Sequence, residues 1–99
     1  MALETTLFDP AEYLDNDEAI ADYLSDALET GDSAFIADAL GVVARAKGMK
    51  QIAEDAGLSR ESLYKALSDK GNPELSTVLK VLSAMGLRLT AAPVIHAAE

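Results

Sequence analysis

Met49-Lys50-Gln51-Ile52-Ala53-Glu54-Asp55-Ala56-Gly57-Leu58-Ser59-Arg60-Glu61-Ser62-Leu63-Tyr64-Lys65-Ala66 reads as two short helices crossing at a steep angle through a tight turn. Ala53 is small enough to let the second helix approach the first. Gly57 offers the left-handed backbone that a short turn requires. Ser59 stands where the second helix needs an N-cap. Ile52, Leu58 and Leu63 are the apolar residues that clamp the pair onto a core. Each signal alone is weak; together, at these offsets, they set the register of both helices.

Working outward, the same logic places further helices on both sides. Asp9-Pro10 is a helix start, an N-cap followed by a proline whose missing N–H costs nothing there, and it opens a short turn through Ala11–Leu14. Asn16 caps a longer helix over Asp17–Thr30. Its first turn is acidic, and Ile20, Tyr23, Leu24, Ala27 and Leu28 form its apolar stripe. Gly31 ends it. Asp32 or Ser33 caps a helix over Ser33–Lys47, with Phe35, Ile36, Ala39, Leu40, Val43 and Ala44 on one face, and Gly48 stops it. Three closely spaced segments follow, Met49–Ala56, Arg60–Ser68 and Leu75–Met85, the last two separated by Asn72-Pro73. Leu87-Arg88-Leu89-Thr90-Ala91 alternates apolar and polar and reads as one short strand.

The chain is therefore expected to be all-α, one five-to-six-helix domain over 8–92 with the two-helix unit at 49–67. Flexible tails are expected over 1–7 and 93–99. With 99 residues there is room for one domain. Apolar residues make up 49% of it, which suffices for a core. A lone strand must pair with something, so Leu87, Leu89 and Ala91 are expected to face the core while the segment pairs antiparallel with its copy in a homodimer.

Composition closes several function classes. There is no cysteine, so disulfides, thiolate-held zinc and thiol catalysis are excluded, and a reducing cytoplasm fits. The single histidine, His96, is a tail residue and supports no catalytic triad or metal cluster. Asp22, Asp26 and Glu29 share a solvent face without basic or polar partners, which argues against a metal or acid–base site. No nucleophile–base pair or phosphate loop is present, so neither an enzyme nor a cofactor is expected. No apolar run is long enough for a membrane span, and the acidic N-terminus lacks the order of a signal peptide.

The formal charge is −9 overall, but it is unevenly placed. Residues 1–40 hold eleven carboxylates and no Lys or Arg, whereas residues 41–99 hold eight Lys and Arg against six carboxylates. Two surfaces with different partners follow from such a split, unless the acidic half is only a solvated face.

Gly57-Leu58-Ser59-Arg60, Asn72-Pro73, Leu75-Ser76-Thr77-Val78-Leu79-Lys80 and Ala84-Met85-Gly86-Leu87 resemble the helix-turn-helix of phage repressors. The wider order, with Phe8-Asp9-Pro10-Ala11-Glu12-Tyr13-Leu14 ahead of two acidic helices and Lys70-Gly71-Asn72-Pro73 behind the motif, resembles the addiction-module antidote proteins, antitoxins paired with RelE-like ribonuclease toxins. The resemblance runs from about Leu7 to Ala92. It implies a DNA-binding transcriptional repressor of its own operon that also binds its toxin. Ser59–Leu67 then matches the recognition helix. Arg60, Glu61, Tyr64 and Lys65 match base-facing positions, Ser62 matches a phosphate-facing one, and Lys50 and Lys70 flank the motif near phosphates. Met49 departs from the pattern, because repressors place a phosphate-holding glutamine there. Ala66 is smaller than the usual branched residue, with Leu67 as its compensation.

The same resemblance implies a basic toxin, which the acidic surface of Asp22, Asp26 and Glu29 would meet with Phe8 and Tyr13 as apolar anchors. Two other readings stay open on the residues alone. One is a stand-alone helix-turn-helix repressor without a toxin. The other is a protein-interaction module whose helix-turn-helix does not bind DNA.

Overall fold

The computed structural model describes residues 16–95, and among them the chain forms five helices and no strand. These are α1 (Asp17–Glu29), α2 (Ser33–Lys47), α3 (Met49–Ala56), α4 (Arg60–Ala66) and α5 (Leu75–Ala84). The turn expected over Ala11–Leu14 and the first tail lie outside the described residues, as does His96.

Local chemistry sets most of the boundaries. The Asn16 side chain accepts from the Ala19 N–H at 2.7 Å, with Asp17 and Glu18 in the first turn of α1, where the helix dipole favours them. Gly31 takes φ +67° after the helix. One oxygen of Asp32 accepts from both Ala34 and Phe35 N–H groups at 3.0 and 3.2 Å, opening α2. At the far end of α3, Gly57 adopts φ +73° and the Leu58 N–H reaches back to the Ala53 carbonyl at 2.9 Å. That bond closes the helix and turns the chain within three residues into α4. The same closure ends α5, where Gly86 has φ +80° and the Leu87 N–H meets the Leu82 carbonyl at 2.8 Å.

α2 is the central element. Ala37 and all of residues 39–44 are buried, so this helix is enclosed nearly all round. α1 packs along it, and α3 bridges from it to α5. Ile20 and Leu24 of α1, Val43 of α2, Ile52 of α3, Leu63 of α4 and Val81 of α5 belong to one buried cluster. Among the described residues no polar or charged side chain is buried. In the middle of α2, Gly41 stands against the Leu67 carbonyl, where a Cβ would overlap the oxygen. A glycine inside a helix ordinarily costs about 1 kcal/mol, and here it is the condition for the two backbones to meet.

Four expectations need correction. First, α4 ends at Ala66 rather than continuing to Ser68. Leu67 leaves helical geometry at φ −99°, ψ 58° and buries its side chain to 1% exposure. Second, the strand expected over Leu87–Ala91 is not formed in the single chain, where residues 87–95 carry no regular structure. A strand exists only through a ladder, and a single chain supplies no second strand. Leu87 is half-buried and, with Leu89, lines a small hollow of about 70 Å³ against Leu24 and Leu28 of α1, but Leu89 is still 40% exposed and Ala91 is exposed, so neither is buried in the core. Third, Phe35 was expected on the inward face of α2 and is 51% exposed. Its neighbour Ile36 packs against the core instead. Fourth, the second helix carries Asp38 at a position its apolar period leaves outward, yet Asp38 is half-buried near Tyr23.

Candidate functional site

The side chains of α4 divide cleanly. Leu63 is fully buried, as is Leu67 beyond the helix end, and these two anchor the helix to the core. Arg60, Glu61, Ser62, Tyr64 and Lys65 are all exposed. The helix is short, so its start must be held well. Ser59 Oγ accepts from the Ser62 N–H at 3.1 Å, and the Ser59 hydroxyl donates to Ser62 Oγ at 2.9 Å. Both hydroxyls lie at the exposed start of α4.

A hollow of about 310 Å³ opens beside this helix, lined by Ser62, Lys65, Ala66, Lys70, Gly71 and Asn72. The structure thus brings Ser62, Lys65 and Lys70 together from two separate segments. Gly71 makes this possible: a Cβ there would overlap the Ala66 carbonyl oxygen, so only glycine lets the loop close over the end of α4. In the sequence Asn72 signals only a turn. Its place in the lining was not legible, because the signal for a turn and the signal for a contact are the same residue.

Among the described residues there is one ion pair, Lys47 with Asp17 at 3.4 Å. Arg60, Lys65, Lys50 and Lys70 therefore carry no ion-pair partner there. Exposed cations without internal partners, arranged along one helix and an adjoining hollow, suit an anionic ligand with spaced charges. Lys50 is exposed in the first turn of α3 and does not line the hollow. Met49, the departure from the repressor pattern, is 5% exposed and belongs to the core cluster. It is a packing residue, and the start of α3 has no side-chain cap.

The opposite charge lies on the α1 side. Asp22, Asp26 and Glu29 are exposed at helical spacing on one face, as expected. Phe8 and Tyr13 lie outside the described residues. Tyr23 is half-buried, and burial first, then the nearby Asp38 carboxylate, pushes its hydroxyl above the usual tyrosine range, with Arg45 opposing. No helix of the described residues is long and apolar enough to cross a membrane.

The family described as "Probable addiction module antidote protein" matches residues 4–93 of this chain. A relative from Haemophilus influenzae, described as an uncharacterized protein, is 52% identical over 81 residues, which covers 82% of this chain and 84% of its own. No solved structure matches the chain.

Proposed function

Because the chain belongs to the probable addiction module antidote family, we propose that it is the antitoxin of a type II toxin–antitoxin module, which binds a RelE-like ribonuclease toxin directly and, as a homodimer, represses its own operon by reading operator DNA with α4. The observation that carries the DNA half is the exposed, Ser59-capped α4 whose Arg60 and Lys65 have no ion-pair partner among the described residues, beside a hollow lined by two lysines.

In this reading α3, the three-residue turn and α4 form a helix-turn-helix. α4 enters the major groove. Arg60 or Lys65 donates to guanine, Glu61 accepts from the cytosine amino group, and Tyr64 packs on a thymine methyl or a sugar. The hollow receives a backbone phosphate between Lys65 and Lys70, with the Ser62 hydroxyl donating to it; Lys50 meets another. Two copies set their α4 helices roughly 34 Å apart on a palindromic site. The dimer forms through residues 87–91 of two chains. That segment supports the pairing by its alternation and by backbone groups of residues 88–91 that bond nowhere among the described residues.

Titration of the full chain against its own promoter and against scrambled DNA, at physiological salt, tests this. Arg60→Ala and Lys65→Ala should each lose about 1–3 kcal/mol on the promoter and relax base preference. Lys70→Ala should weaken both DNAs alike and reduce the salt slope by about one. Equal affinity of the unaltered protein for promoter and scrambled DNA refutes the repressor reading.

A further inference from the structure

Leu75 and Leu79 are 64% and 45% exposed, and they share one face of α5 with Leu82, at i, i+4 and i+7. Leu82 in turn lines the hollow of about 70 Å³ together with Leu24 and Leu28 of α1 and with Leu87, Arg88 and Leu89. Leu28 and Leu89 are themselves exposed. A strip of leucines therefore runs from the first turn of α5 into the hollow. Single exposed leucines are ordinary, but a connected strip marks a contact surface.

Two features of the chain identify what covers it. The first is charge. At −9 overall, two copies that met through the acidic face of Asp22, Asp26 and Glu29 would repel each other, whereas no carboxylate lines the hollow. A nucleic acid would find one cation there, Arg88. The second is residues 87–95. Leu87 and Leu89 line the hollow, and the backbone groups of residues 88–91 bond nowhere among the described residues. Beyond them Val94 and Ile95 are the most exposed large apolar side chains described, Ile95 at 90%.

In an antiparallel pair centred on Leu89, Leu87 stands opposite Ala91 of the second copy. Past that point the second copy runs on alone. Its odd-numbered residues stay on the side of Leu87 and Leu89, because side chains alternate and directly opposed residues share a face. Pro93 falls where this chain has already turned away at Gly86, φ +80°, so its missing N–H costs no ladder bond. Ile95 lies four residues, about 13 Å, beyond the last pair, and Leu79 lies about 8 Å back from the end of α5 at Ala84.

We propose that the leucine strip of α5 is covered by a second copy of this chain, whose residues 92–95 cross over and seat Ile95 against Leu79. This rests on the homodimer of the proposed function and specifies its interface.

The chain has no cysteine, so introduced thiols report contacts without interference. Full-length Leu79→Cys and Ile95→Cys chains, mixed and then oxidised, should give a disulfide-linked dimer on a non-reducing gel. Lys80→Cys, one residue round the same helix and also exposed, should link to Ile95→Cys far less. In sedimentation equilibrium, Leu79→Ala and Ile95→Ala should each raise the dimer dissociation constant at least about tenfold, and the double change by less than the product of the two. An unaltered chain that is monomeric at tens of micromolar, on the order of common assay concentrations, removes the homodimer and this interface with it. If the chain is a dimer and Leu79→Cys links only to itself, α5 packs on α5 and the crossing is overturned; a dimer in which neither thiol links overturns it too. If Leu79→Cys resists a thiol reagent in a monomer and deletion of residues 1–15 frees it, the cover is the chain's own N-terminal segment and the proposal is overturned.

Discussion

Gly41→Ala is the substitution in which helix propensity and tertiary packing disagree most sharply. In an isolated helix the change stabilises by about 1 kcal/mol, since alanine loses less backbone entropy and shields the peptide groups. In this fold the new Cβ overlaps the Leu67 carbonyl oxygen. That oxygen belongs to the backbone and cannot rotate aside as the neighbouring Arg45 side chain can. Either α2 and the end of α4 separate, or Leu67 leaves the core, where it is 1% exposed. Overpacking a core costs about 1–3 kcal/mol, and a backbone obstruction belongs at the upper end. Subtracting the propensity gain leaves a net loss of about 2 kcal/mol. For a domain of this size that lowers the midpoint by about 8–16 °C in a calorimetric melt. Ala46→Gly is the matched control, because Ala46 is exposed in the same helix and reports the propensity difference alone, a loss of about 1 kcal/mol. Since Leu67 ends the recognition helix of the proposed function, Gly41→Ala should also weaken promoter binding at temperatures where it is fully folded. A Gly41→Ala protein that melts at or above the unaltered midpoint would show that the backbones do not meet as described.

Met49→Gln, which restores the repressor-like residue, should destabilise by about 1–3 kcal/mol in urea titration without strengthening promoter binding, because Met49 lies in the core and the new amide has no partner there. Tyr23 titrates above the usual tyrosine range when folded, so its contribution is present below pH ~10 and fades as the pH rises through the folded value; Tyr23→Phe should flatten the alkaline limb of a stability–pH curve. Leu89→Pro removes a backbone donor from the segment proposed to pair across the dimer, and light scattering at tens of micromolar, on the order of common assay concentrations, should show monomers; an unaltered chain that is already monomeric there refutes the pairing.

The candidate interface was legible in part. Arg60, Tyr64 and Lys65 are exposed where the spacing of α4 puts them, because Leu63 and Leu67 are the apolar residues that turn the opposite side inward. The hollow was not legible, since it forms only where the loop that follows α4, through Lys70, Gly71 and Asn72, folds back over the helix end. Nor was the exposure of Phe35. Periodicity states which face a residue shares, but not which of two neighbours, Phe35 or Ile36, packs against the core.

By itself the sequence determined what acts within one turn of the chain. Asn16, Asp32 and Ser59 accept the first free N–H groups of their helices. Gly31, Gly57 and Gly86 take the left-handed backbone at three helix ends, and the apolar period separates α1 from its solvent face. Those forces depend on neighbours three or four residues away, so the order of residue types suffices to read them. Only the tertiary structure decided that Met49 is core, that Asp38 is half-buried near Tyr23, that α4 stops at Ala66, and that residues 87–95 lie without a ladder. Each of these depends on which distant backbone comes close, as Gly41 does to Leu67. Close approach between segments far apart in sequence is decided by packing the whole chain at once.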